Sequence, residues 1–168
     1  MSEMRDMLRH YFNIGTLADP EWVLLGDGIT SMTEEFNPES ETKQYINQKN
    51  GTTNLKSYTP SMSVEREYIS DKLQKWMDEK IKTLPVGSQA ISEYVRVNLL
   101  DTPTSGGAYP AVKRKCTYQF DSVGGDAGSE LVSAMTLGGV GDGEQGSFVV
   151  TEGSEAFTAA QRKQGMSV

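Results

Sequence analysis

A chain of 168 residues with a net charge of −7 has room for one domain with a real core and some projecting arms, and it is too acidic to clamp nucleic acid. Its 36% hydrophobic content is lowish but above the disordered range, and seventeen glycines among many short apolar segments point to a β-rich fold. The one cysteine, Cys116, excludes an intrachain disulfide, no apolar run is long enough to cross a bilayer, and Met1–Phe12 lacks the apolar stretch of a signal peptide. The expectation is a protein made in a reducing cytoplasm, with no membrane partner. The charge is uneven: residues 121–155 carry seven acidic side chains and no Lys or Arg, while the rest balances sixteen against sixteen.

In chain order, Met1–Pro20 reads as an N-terminal arm. Met4, Met7, Leu8, Tyr11 and Phe12 fall at helical spacing, and Asn13-Ile14-Gly15 and Asp19-Pro20 break it, so a short amphipathic helix and an extended arm are both open. His10 is the lone histidine, without Cys or His nearby, which argues against a metal site. Trp22–Leu25 is short, apolar and β-prone, and Gly26-Asp27-Gly28 supplies a turn. From Met32 the residues alternate, Met32, Glu34 and Phe36 against Thr33, Glu35 and Asn37. Beyond Pro38, the run Glu39 to Gln44 is polar on both faces. A strand polar on both sides cannot hold its register by burying a core. Such a segment is either disordered or meets something other than its own core, such as a neighbouring subunit or a water-filled channel.

Residues 47–63 are expected to form a long polar loop, with Asn50-Gly51 as a turn and Pro60 as a strand excluder. Val64–Ile69 resumes as a strand. Ser70 is the expected N-cap of a helix over 71–84, with Asp71 at the positive end of its dipole. Leu73, Trp76, Met77, Ile81 and Leu84 form its apolar stripe, as for a helix docked on its own sheet. Strands are expected at Ile91–Leu100 and Val112–Phe120, the second burying Cys116 as a small core residue. Gly124–Gly128 reads as a turn. Leu131–Leu137 and Phe148–Thr151 read as strands around a Gly138–Gly143 hairpin turn, and residues 161–168 as a frayed tail. The fold class is mainly β, two packed antiparallel sheets (sandwich or barrel) over residues 21–160 with one flanking helix.

No set of residues carries catalytic chemistry. Gly138–Gly143 opens no helix and is followed by no Lys-Ser/Thr, so it is not a phosphate loop. Glu34 and Glu35 point to opposite faces, and Asp121, Asp126, Asp142 and Glu144 fit no EF-hand spacing. These absences together point away from an enzyme and a cofactor. On residue chemistry alone the chain is a β-rich domain, with a small cytoplasmic β-barrel binding module as one reading.

An ordered set of segments resembles the tail tube (major tail) proteins of long-tailed bacteriophages of Gram-positive hosts. The segments are Trp22 with Gly26-Asp27-Gly28-Ile29, the polar strand ending at Tyr45-Ile46, Gly51-Thr52-Thr53, Tyr58-Thr59-Pro60-Ser61-Met62, Gly107–Ala111 and Gln119–Gly128. The resemblance implies two packed β-sheets with a flanking helix. It also implies hexameric rings stacked into a hollow tube, a virion component assembled in the bacterial cytoplasm and more in keeping with a non-contractile tail. The implied partners are copies of the chain, tape-measure protein and passing DNA within the lumen, and tail terminator and distal tail proteins at the ends. A terminator or connector ring is the alternative within the same class. Inter-ring and inter-subunit contacts are then expected from the loop and the N-terminal arm, with Asn50, Gly51, Thr52, Leu55, Tyr58, Met4, Tyr11 and Phe12 as candidates. Glu34, Glu35, Glu39 and Glu41 are candidates for an acidic lumen wall, with at most one of the first two facing the channel. The segment from Gly141 to Phe148 only loosely follows the family's closing hairpin.

Overall fold

Tyr94 and Val95 are adjacent in sequence, and both are shut away from water. Successive side chains of a strand point to opposite faces, so the sheet that holds them must be covered on both sides. The computed structural model describes residues 2–103 and 107–159. Among them are ten strands: β1 (Leu8–Asn13), β2 (Trp22–Leu24), β3 (Glu34–Glu35), β4 (Pro38–Lys43), β5 (Thr52–Tyr58), β6 (Ser61–Glu67), β7 (Ile91–Asn98), β8 (Ala108–Gly124), β9 (Val132–Val149) and β10 (Ala156–Ala159). One α-helix, α1 (Lys72–Thr83), lies between β6 and β7. Eight strands form one antiparallel sheet in the order β2-β1-β7-β8-β9-β6-β3, with β10 also on β9, while β4 and β5 pair only with each other.

The long strands β8 and β9 coil this sheet. Lys113 pairs with Glu144 but Lys115 with Val140, so Gly141, Asp142 and Gly143 stand opposite Arg114 alone. Such a bulge bends both strands and steepens their twist. Phe148 of β9 is three strands from Tyr11 of β1, yet their ring centroids are 4.4 Å apart. At the other end of the sheet, Glu34 of β3 accepts a 2.5 Å hydrogen bond from Tyr94 of β7, four strands along. Two cores result. One holds Phe12, Met62, Val64, Tyr94, Cys116, Met135 and Leu137 with Leu73 and Met77 of the helix. The other, on the opposite face, holds Tyr11, Trp22, Val95, Val97, Ala111 and Phe148. The mainly β, antiparallel fold with one flanking helix is as expected from sequence, but both layers come from one coiled sheet, and the second sheet is a separate hairpin.

Several local expectations are corrected. The proposed N-terminal arm contains β1, an interior strand flanked by β2 and β7, with Tyr11 in one core and Phe12 in the other. A strand buried on both faces shows no polar alternation, so its apolar residues matched a helical spacing by chance. Gly138–Gly143 is not a turn but the middle of β9. Its glycines answer close approaches: a Cβ on Gly139 would lie 2.9 Å from the Pro60 carbonyl, and one on Gly143 2.7 Å from Val112. Gly141 adopts φ +70° at the bulge. The reversal between β8 and β9 falls at Gly125–Leu131, where the glycine turn was expected. The expected tail, 161–168, lies outside the described residues.

The helix is capped by Asp71, not Ser70: the Asp71 carboxylate accepts from the Gln74 amide at 2.9 Å. Leu84, expected in the apolar stripe, takes the left-handed conformation that stops the helix and is exposed. Trp76 packs edge-on against Phe12 and Tyr118, at centroid distances of 5.1 and 4.9 Å, which docks the helix on the first core. Arg66, buried on β6, fixes the helix start. It donates to both Asp71 oxygens (3.1 and 2.7 Å) and to the Asp27 carbonyl (3.1 Å).

Candidate assembly surface

The two polar strands are the part of the chain that belongs to neither core. β4 and β5 form an antiparallel hairpin whose residues, Glu41 apart, are all exposed. The expected long loop at 47–63 is therefore a short turn, then β5, then the start of β6. It reads as a loop because a strand wet on both faces carries no burial alternation. A two-stranded hairpin with no core of its own is marginal in water. This one is held by its own side chains. Thr42 and Thr53 hydroxyls are 3.1 Å apart across the strands. At the turn Gln44 donates to the carbonyls of Gln48 (3.1 Å) and Lys49 (3.0 Å), and the Tyr45 amide donates to the Gln48 side chain (3.0 Å).

The hairpin has two unlike faces, because side chains opposite each other across a ladder share a face. Pro38 with Tyr58, Ser40 with Leu55 and Thr42 with Thr53 make an uncharged face. Glu39 with Ser57, Glu41 with Asn54 and Lys43 with Thr52 make the other. An irregularity at Glu39/Ser40 leaves Lys56 free to join the charged side, where it and Lys43 stand 3.4 and 3.5 Å from Glu41. Two lysines against Glu39 and Glu41 balance this face, which corrects the expected acidic row. The turn carries Asn50 and Gly51, as anticipated, but also Tyr45 and Ile46, two large apolar side chains held in water. Both stand in the sequence as the end of the polar strand but not among the contact candidates, although an apolar pair within a polar run is itself the signal.

At the root of the hairpin, the Glu34 side chain is only 4% exposed and faces inward, which removes it from the lumen candidates; Glu35 is exposed. Glu34 accepts from Tyr94 and lies 3.5 Å from His10 Nε2 and 3.6 Å from Arg96 Nε. Burial pushes its carboxyl up, but hydrogen bonds from His10 and Tyr94 and the nearby positive charge outweigh that and hold it below the usual 4.5. Asp71 is likewise held below 3.8, chiefly by its hydrogen bonds with Arg66. Both groups therefore stabilise the fold above those ordinary values and lose that contribution as pH falls through their lowered folded ones. We expect the thermal midpoint to drop on acidification below about pH 4.5, and to drop less steeply in Glu34→Gln. Parallel acid limbs in the two proteins would contradict this.

Of the contact candidates, Asn50, Gly51, Thr52, Leu55 and Tyr58 come together on the hairpin, and Met4 is exposed elsewhere. Tyr11 and Phe12 are core residues and cannot touch a neighbour. Burial pushes the Cys116 thiol up to about 12, in keeping with a packing role. Among the described residues no three His, Cys, Asp or Glu side chains are grouped to hold a metal ion. No helix there is long and apolar enough to cross a membrane.

No protein-family model matches the chain, and no curated protein matches it. Solved structures do. One, the tail of an empty GTA particle with C6 symmetry, matches with TM-score 0.59 at 11% identity, over 94% of this chain and 100% of that one. A second, the virion of a native gene transfer agent (GTA) particle, matches with TM-score 0.55 at 12% identity, over 94% and 100%. A third, the PVC sheath/tube terminator of an extracellular contractile injection system in its extended state, matches with TM-score 0.52 at 10% identity, over 86% and 96%. At such identities what is shared is the fold, and this chain has the fold found in a gene transfer agent tail and in an injection-system tube terminator.

Proposed function

We propose that the chain is a structural subunit of a phage-type tail tube, forming hexameric rings that stack into a hollow channel for DNA. The observation that carries this is the hairpin arm, ordered by its own side chains yet wet on both faces, on a fold shared with a C6-symmetric tail. Its uncharged face, with Leu55 and Tyr58, rests against a neighbouring copy, and its apolar tip reaches the adjacent ring. The charged face, with Glu39 and Glu41, and the nearby Glu35 look into the wet lumen. There they remain hydrated at little cost. In this reading tape-measure protein and DNA occupy the lumen, terminator and distal tail proteins close its ends, and the virion assembles in the cytoplasm of a Gram-positive host with a non-contractile tail. No catalysis is required of it. The likeness to a tube terminator favours one second reading, a ring that caps the tube instead of building it.

Electron microscopy of purified protein tests both. Filaments with a central hole are expected, and at high resolution Glu39 and Glu41 should line that hole. Single rings that never stack would select the terminator. A monomer persisting at millimolar concentration would sink both readings, and carboxylates on the outer wall would remove the lumen assignment.

A further inference from the structure

Two legs carry the arm, and the one that enters it from β3 is weakly held by its backbone. β3 is two residues long and pairs only through Glu34 with Met62 and Glu35 with Ser61 of β6. Phe36 is exposed, and Asn37 takes φ +46°, a conformation that disfavours most side chains. β4 starts one residue later. The other leg is pinned at buried Pro60, whose carbonyl accepts from the Gly139 amide at 2.7 Å, and the Thr59 amide donates to the Phe36 carbonyl at 2.9 Å. A two-pair strand beside that pin gives the arm a pivot at Pro60, not a direction.

Direction comes from Glu34, whose side chain crosses the mouth of the coiled sheet into the first core. There it meets β1 through His10 and β7 through Tyr94 and Arg96. The His10 ring is buried, and among the described residues its Nδ1 has no partner and its one polar contact is with Glu34. Arg5 adds a second hold, donating to the Met32 carbonyl at 3.1 Å two residues upstream. At the kink itself, Asn37 bridges the Thr59 carbonyl and the Ser61 hydroxyl, both at 2.9 Å, tying the two legs together beside Pro60 so that arm and β3 move as one piece. A buried charged cluster is a poor source of stability compared with apolar packing, and its best-attested use is to specify one arrangement.

We propose that Glu34, clamped by His10, Tyr94 and Arg96, is a positioning residue that fixes the direction of the hairpin arm relative to the body of the subunit. Losing the clamp leaves both cores formed and lets the arm, together with β3, swing about its root at Pro60. Only the consequence for stacking rests on the tail-tube reading; arm direction is a property of the isolated subunit.

The test is a pulsed electron–electron distance measurement on dilute, unassembled full-length protein. Spin labels are placed at Ile46→Cys in the tip and Lys82→Cys on the helix, and the buried Cys116 stays unlabelled. The parent should give one narrow distance distribution. Glu34→Gln should roughly double its width, and Tyr94→Phe, which deletes one hydroxyl and keeps the ring, should widen it less. Near-UV circular dichroism should stay unchanged in Glu34→Gln, and far-UV circular dichroism in both. A merely structural role would lower the thermal midpoint without widening the distribution, so equal widths in folded variants overturn the proposal. If Glu34→Gln fails to fold, Tyr94→Phe alone decides. Narrow distributions in a parent that never forms filaments would count against the tail-tube reading and leave the clamp standing.

Discussion

Replacing Arg66 with alanine is expected to cost about 2–3 kcal/mol, the upper part of the range for hydrogen bonds to a charged group, because the Asp71 carboxylate left behind is 34% exposed and partly hydrated. A loss of that size is a large share of the stability of an ordinary domain. Arg66 is nearly free of water, and its guanidinium joins three parts of the chain: β6, the Asp27 turn and the helix start at Asp71. Removing it strips the Asp71 carboxylate of its cation and leaves Gln74, also buried, without one of its contacts. Asp71 keeps its capping bond to the Gln74 amide, so the helix start is weakened instead of abolished. Arg66→Lys should recover only part of the loss, because an ammonium cannot reproduce two parallel bonds to one carboxylate. Urea denaturation of the three proteins reads this directly. An alanine variant within 1 kcal/mol of the parent, on the order of a surface change, would show that the cluster is not holding the helix.

Excising the arm should have the opposite signature, a large effect on assembly and almost none on the fold. Pro38 and Tyr58 face each other across the ladder, so residues 39–57 can be replaced by a two-residue Asn-Gly turn. No residue of 39–57 belongs to either core, and the thermal midpoint should stay within about 3 °C of the parent. Polymerisation should vanish, because no single contact of this small area is stable alone and stacking depends on many copies acting together. Sedimentation velocity together with electron microscopy separates the outcomes. Filaments formed without the arm would remove it from the assembly mechanism. Loss of near-UV circular dichroism would instead make it part of the fold.

Much of the body was legible before any coordinates. The helix stripe of Leu73, Trp76 and Met77, the strand over Ile91–Asn98, the turn after β8 and the burial of Cys116 all follow from local patterning, because one face of each element meets the core and the other meets water. β1 escaped because both its faces are buried, and β5 because neither is. In each case the alternation that reveals a strand has nothing to alternate between. Gly138–Gly143 was misplaced for a related reason: glycine marks a turn, a bulge and a close backbone approach with the same letter.

The assembly surface divides along the same line. That residues 38–58 are mostly polar and show no core-facing alternation is written in their order. That they form a hairpin with one uncharged and one balanced face depends on which residues stand opposite each other, including the irregularity that brings Lys56 to Glu41. Glu34 is the clearest case. Beside Glu39 and Glu41 it looks like one more hydrated carboxylate, and the alternation that groups it with Met32 and Phe36 separates it only from Glu35, without showing which of the two turns inward. Only the coiling of the sheet, driven by the bulge between β8 and β9, brings His10, Tyr94 and Arg96 from distant parts of the chain to meet it. Local sequence determines which residues can bury or hydrate themselves, and the partners that decide a buried charge's role are set by long-range closure of the sheet.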